Sequence, residues 1–319
     1  MPIRFKMKKA TIYKILVLAL IISLSGCRSN TTPGENSQSV DDTDSTNVLS
    51  ELTENDSLET ADDSDTSERI EIMLLPSPDE ILNEILGGNF NYNNSLVNSL
   101  KNENKYLSVK AQALNLGIYL TDLAYINLNN DKTGAFQYFR VIREISQKLN
   151  IYQPFYGDLF NRVQKNIANQ DSMNSIFKEI YYQMLETLEA SRQNDIYAFI
   201  VTGALIESLY IPTVSIEKTN EYEVVATKIF EQKFIINNFY DHLSQYKKEK
   251  YIRDVMMILG DIRDILNKAA TKSTEKVVIQ KDKGNFTISG GDDIVVTEQM
   301  FKTISERIKE IRSEIVNSN

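Results

Sequence analysis

Asp122 and Glu207 are the residues of this 319-residue chain with the clearest capacity for chemistry, because each stands inside a strongly apolar segment. An ionised carboxylate in such surroundings is costly unless it is paired or hydrogen-bonded. If the two face one another, they make a site with a raised pKa that could hold a cation or a ligand amine. Tyr125 and Tyr210, close to each acid along the chain, complete the candidate ligand-binding set. The competing reading is structural: each carboxylate reaches a helix end, a tyrosine hydroxyl such as Tyr125 or Tyr210, or an arginine such as Arg143 or Arg192. Two acids without a histidine or a further acid are too few for a metal enzyme, so no catalytic residue, metal or cofactor is assigned.

The rest of the inventory excludes more than it offers. The chain has one Cys, one His and no Trp. A structural zinc site, a disulfide and the common nucleophilic triads all need more thiols or imidazoles than that. His242, set among Tyr240, Asp241 and Tyr246, reads as a boundary residue rather than a base. Asn127-Leu128-Asn129-Asn130-Asp131 places oxygens at alternate positions like a calcium loop, but Lys132 stands where the turn glycine belongs and no acid closes it. Gly284 and Gly290-Gly291 belong to turns and match no phosphate loop. With 44 acidic against 35 basic side chains and a formal charge of −9, nucleic acid is not the expected partner, since affinity for phosphate comes from Lys and Arg.

At the amino terminus, Arg4, Lys6, Lys8, Lys9 and Lys14 precede an apolar run of about ten residues, the layout of a secretory signal. That run is about half the ~20 residues a stable membrane-crossing helix needs. It ends in Leu24-Ser25-Gly26-Cys27, which resembles the bacterial lipobox at all four positions. The resemblance implies cleavage between Gly26 and Cys27, diacylglycerol on the Cys27 thiol and acylation of the new amino terminus. The alternatives are a plain cleaved signal with an incidental Cys, or an uncleaved anchor. Each buried methylene contributes about 0.8 kcal/mol and a single acyl chain binds only marginally, so two or three chains make a lasting tether. Cleavage would take away five positive charges and leave a formal −14.

From Arg28 to Arg69 the chain has twelve acids, two bases and no aromatic residue. Too little apolar surface and too much like charge predict a disordered spacer, with residues 27–70 forming lipidated Cys and tether and residues 71–319 the folded domain. Such a spacer has a root-mean-square reach of about 35 Å. Asp44-Ser45-Thr46 and Asp56-Ser57-Leu58 resemble the Asp-Ser/Thr-apolar acceptor of periplasmic O-glycosylation in Bacteroidota-type bacteria, which implies Ser45 and Ser57 as glycosylation candidates, with coincidence as the alternative.

Holding the two carboxylates requires helices, and the sequence supplies their punctuation. Ser77-Pro78-Asp79-Glu80 reads as a cap, a first-turn proline and a capping box, and Gly87-Gly88 as the stop. Apolar residues at helical spacing predict helices at 107–128, 132–149, 155–168, 172–190, 194–210 (ended by Pro212), 217–246 and 249–268. The short breaks Asn129-Asn130-Asp131 and Asn169-Gln170-Asp171 imply antiparallel neighbours. Val277-Val278-Ile279, Phe286-Thr287-Ile288 and Ile294-Val295-Val296 suggest a small hairpin near 277–296. Phe301, Ile304, Ile308, Ile311 and Ile315 then form the seam of a last helix. The expected fold is mainly α, an antiparallel multi-helix bundle or a short α-solenoid-like array. Two of its segments look alike, 117–125 and 203–210, and a shared packing demand explains this more simply than duplication.

Leu75-Pro76-Ser77-Pro78, Leu114-Asn115-Leu116-Gly117-Ile118-Tyr119 with Asp122-Leu123-Ala124-Tyr125, and Asn194-Asp195 with Gly203 to Tyr210 resemble uncharacterised helical lipoproteins of Bacteroidota over most of residues 73–319. The resemblance implies an exported all-α protein and supplies no catalytic residues. The expectation is a lipid-anchored, non-enzymatic envelope scaffold, adaptor or binding module. It would be held to the membrane by covalent lipid, with an envelope protein as partner. Arg28 stands where some bacteria place an inner-membrane retention Asp, which leans the protein toward the outer membrane. The rival expectation is an envelope ligand-sensing domain or hydrolase centred on Asp122 and Glu207.

Overall fold

The computed structural model describes residues 73–319 apart from 88–91, 152–155, 167–168, 217–221 and 283–284, all within the unit Asp63–Asn319. The signal sequence, Gly26, Cys27, the tether, Ser45 and Ser57 lie outside the described residues. What is described is mainly helical, as the periodicity predicts.

Short polar side chains set the helix starts. In α1 (Pro78–Leu86) the Glu80 carboxylate accepts from both Ser77 N–H and Ser77 Oγ at 2.9 Å, and Gly87 ends the helix at φ +60°. That left-handed geometry suits glycine, whose N–H closes back onto Asn83 O at 3.0 Å. Ser108 caps α2 (Val109–Leu128), Asp131 caps α3 (Lys132–Lys148) and Asn169 caps α5 (Gln170–Ala190), which follows α4 (Tyr156–Asn166). Thr297 caps α10 (Glu298–Asn317), accepting from Met300 N–H at 3.2 Å. Each cap satisfies an amide that the first turn would otherwise leave without a partner. Gly134 of α3 lies against Ile126, and Tyr138 against Tyr119, so α3 runs back along α2 as the short break implied.

Three segments differ from expectation. Pro212 does not end its helix: α6 spans Asn194–Ile216, and Ile211, Thr213 and Ile216 are buried on both sides of the proline. Packing on either side holds the backbone helical through the hydrogen bond that proline cannot make. The single helix expected over 217–246 is two, α7 (Tyr222–Glu231) and α8 (Lys233–Ser244). They part at Gln232, whose N–H bonds to Ile229 O, three residues back, at 3.2 Å. This three-residue turn divides the helix without a glycine or proline to announce it.

After α9 (Lys250–Leu266) the hairpin is longer than its β-prone runs suggested, with β1 Ala270–Asp282 antiparallel to β2 Asn285–Val295. Gly290-Gly291, read as a turn, instead lies inside β2. There the register slips, from Glu275↔Gly291 to Val278↔Ser289, so that the glycines sit at a bulge.

The core gathers on α2 and α6. Sixteen of twenty residues in α2 are buried, and α6 is buried from Ile196 through Leu209. α6 is long and apolar enough to cross a membrane, but 83% of its most apolar stretch is covered by neighbouring helices, which suits a central core helix. Around this pair, α10 buries Phe301, Ile304, Ile308, Ile311 and Ile315, the predicted seam, against the body of the domain.

Candidate functional site

The two central helices touch backbone to backbone. A Cβ added to Gly117 would stand 2.0 Å from Ile200 O, and one added to Gly203 would stand 1.9 Å from Leu114 O. Leu114 and Gly117 are spaced as Ile200 and Gly203 are, so the contact is reciprocal, and the two segments that look alike meet one another. Lys110 lies over Phe199, Thr121 Oγ1 donates to Ala204 O at 3.2 Å, and Asp122 lies against Glu207. These contacts advance together along both chains, so α2 and α6 run in the same direction.

Just past the crossing, Asp122 and Glu207 are both fully buried and face each other. Arg312 of α10 reaches in and clamps Glu207 through two parallel bonds, Nε to Oε2 and Nη2 to Oε1, each 3.0 Å. Its Nη2 also donates to Leu96 O at 3.1 Å, and its guanidinium lies 4.6 Å from the centre of the Tyr210 ring. A fork-shaped cation with a flat face satisfies a carboxylate and an aromatic ring together, which a lysine could not.

Asp122 is held differently. Its Oδ2 accepts Asn98 N–H at 3.0 Å, while Oδ1 is buried with no hydrogen-bond donor. Burial, then the negative charge of Glu207, pushes the Asp122 carboxyl well above the ordinary carboxylate range, against the opposing pull of Arg312 and of Asn98 N–H. Arg312 is pushed up, because the charge and hydrogen bonds of Glu207 outweigh burial.

Asn98 extends the cluster into a network. Its side chain donates to Tyr106 Oη at 2.9 Å and Asn115 Oδ1 at 3.3 Å, and its carbonyl accepts Tyr138 Oη–H at 2.6 Å. Asn115 donates onward to Ile315 O at 3.0 Å. Tyr119 Oη–H bonds Ser99 O at 2.8 Å, just before the 3-10 turn Leu100–Asn104 that sequence periodicity missed. Burial raises the pKa of Tyr106, Tyr119 and Tyr138 above the usual tyrosine value, so these hydroxyls stay neutral.

Of the four predicted ligand-binding residues, Asp122, Glu207 and Tyr210 come together. Tyr125 does not join them: its hydroxyl accepts Asn93 N–H at 3.0 Å and its ring meets Tyr92 at 5.4 Å. The cation at the pair is neither Arg143 nor Arg192 but Arg312, which the sequence reading passed over. A signal was present, since Arg312 lies between Ile308, Ile311 and Ile315 at the margin of the apolar seam. His242 sits on α8, its ring 5.7 Å from that of Tyr246. Asp131 accepts Gly134 N–H at 2.9 Å, capping α3.

Among the described residues, no three Cys, His, Asp or Glu side chains gather where a metal could be held. A narrow cavity of about 20 Å³ lies among α1, α2, α3 and α5, lined by Leu120, Leu123, Phe139, Ile142 and Phe177 with Asp79 at its edge. Neither Asp122 nor Glu207 lines it.

Comparison with family models, curated proteins and solved structures gives no match.

Proposed function

We propose that this chain is a lipid-anchored envelope protein whose helical domain serves as a non-enzymatic scaffold or adaptor for another envelope protein. The observation that carries the scaffold reading is the closed state of Asp122 and Glu207. Both are solvent-free, each Glu207 oxygen accepts from Arg312, and the cavity among α1, α2, α3 and α5 is mostly apolar and about one water in size. A hydrolase or sensor built on these acids would need space beside them for a substrate. Their arrangement suits a structural tie among three helices instead. Anchoring at Cys27, and with it the outer-membrane placement, rests on Leu24-Ser25-Gly26-Cys27 and on Arg28.

Crosslinking in intact cells followed by pull-down tests the adaptor role. A protein partner recovered reproducibly with the wild-type chain, and reduced with Cys27→Ala, is the expected result. Recovery of a bound small molecule with no protein partner would overturn it in favour of ligand sensing.

A further inference from the structure

Three formal charges meet beside the α2/α6 crossing: two fully buried carboxylates and one mostly buried guanidinium. Both Glu207 oxygens are occupied by Arg312, and one Asp122 oxygen is occupied by Asn98 N–H. The other, Oδ1, is buried without a donor while Asp122 lies within hydrogen-bonding reach of Glu207. If both acids were ionised, the cluster would carry a net negative charge with both carboxylates fully buried, and Oδ1 would have no donor to offset it. A proton on Oδ1 turns that oxygen into a donor and makes the cluster neutral.

We propose that Asp122 and Glu207 share one proton, carried on Asp122 Oδ1 and donated to Glu207, and that this proton clamps the C-terminal half of α10 onto the α2/α6 crossing. Arg312 transmits the clamp, since the Glu207 carboxylate it grips also accepts the shared proton. Ile315, one turn further along α10, is held to the same network by Asn115.

The groups facing the pair leave the carboxyls as the titrating unit. α2 itself contributes Tyr119, α3 Tyr138, and the segment between α1 and α2 contributes Tyr92 and Tyr106, all four made harder to ionise, chiefly by burial. α6 contributes Glu207 and Tyr210, and α10 contributes Arg312, which stays charged.

The direction of the pH effect follows. The Asp122 carboxyl is raised above its unfolded value of about 3.9, so over that window the folded state binds more protons than the unfolded chain. Stability from the clamp is therefore lost as pH climbs from about 4 through the folded pKa, and below that window the contribution is flat. Asp122→Asn supplies a permanent N–H donor in place of the proton and removes the titration.

Infrared spectra of the full chain at neutral pH, compared among variants, test the proposal. The expected result is a carbonyl band of a protonated carboxylic acid that vanishes in Asp122→Asn. It should vanish also in Glu207→Gln, where Arg312 is left to pair with an ionised Asp122. Urea unfolding across pH should show the wild-type folding constant falling relative to Asp122→Asn by up to tenfold per pH unit. Absence of the band in wild type, its survival in Glu207→Gln, or parallel pH profiles would overturn the shared proton. Should Asp122→Asn fail to fold, wild-type hydrogen exchange takes its place. Amides of residues 308–317 must then exchange from a less protected state as the acid band disappears with rising pH, and unchanged protection would overturn the clamp.

Discussion

Glu207 has no access to solvent, and its carboxylate is tolerable only because Arg312 occupies both oxygens. Removing the cation alone therefore leaves a buried, unpaired charge, and Arg312→Met is expected to destabilise the domain by about 3–5 kcal/mol in urea unfolding. Replacing both partners with apolar residues of similar size, Glu207→Met with Arg312→Met, should recover most of that loss, because the pair also carries a desolvation cost. A double variant no more stable than Arg312→Met would contradict this balance. At this scale the sequence was half legible. An acid inside an apolar stretch announces a buried polar group, and both acids were found that way. The cation was not, because Arg312 stands 105 residues from Glu207 on a helix whose polar face carries many charges, where nothing local separates a buried arginine from a solvated one. Asn98 was equally hidden, since it contributes to Asp122 through its backbone N–H, which any residue but proline would supply.

Helices were the most legible elements, for the physical reason that caps and apolar periodicity are local. Ser77 and Gly87 act where the sequence placed them. The departure at Pro212 goes with burial on both sides of the proline, and the break at Gln232 with a three-residue turn that carries no glycine or proline. The crossing of α2 and α6 gives a sharp prediction from two glycines in helices. Gly203→Ala would thrust a methyl onto Leu114 O, 1.9 Å away, and should cost at least about 1–3 kcal/mol by prying the helices apart. Gly260→Ala in α9 meets only Tyr240 at 3.9 Å and should stabilise by about 0.5–1 kcal/mol through helix propensity. Thermal unfolding of the two variants should thus shift in opposite directions, and a shared direction would contradict the close approach at the crossing.

At the scale of the whole molecule, two properties belong to different parts of the chain. The helical domain is built inward, with its acids tied to Arg312 and its most apolar helix covered on most sides. The proposed attachment to a membrane belongs instead to one cysteine and its neighbours, far from that core in sequence. Pattern and composition made the mainly helical class readable at once. A binding partner was not readable, because recognition surfaces need no buried pattern and leave no periodic trace. The proposed anchor makes a quantitative demand. A protein held by two or three acyl chains should partition with membranes even in high salt, whereas a charge-held protein would be washed off. Metabolic labelling with palmitate, comparing the wild-type chain with Cys27→Ala, puts the central proposal to its most direct trial. The account predicts label in the wild type and none in Cys27→Ala, and equal label in both would contradict it.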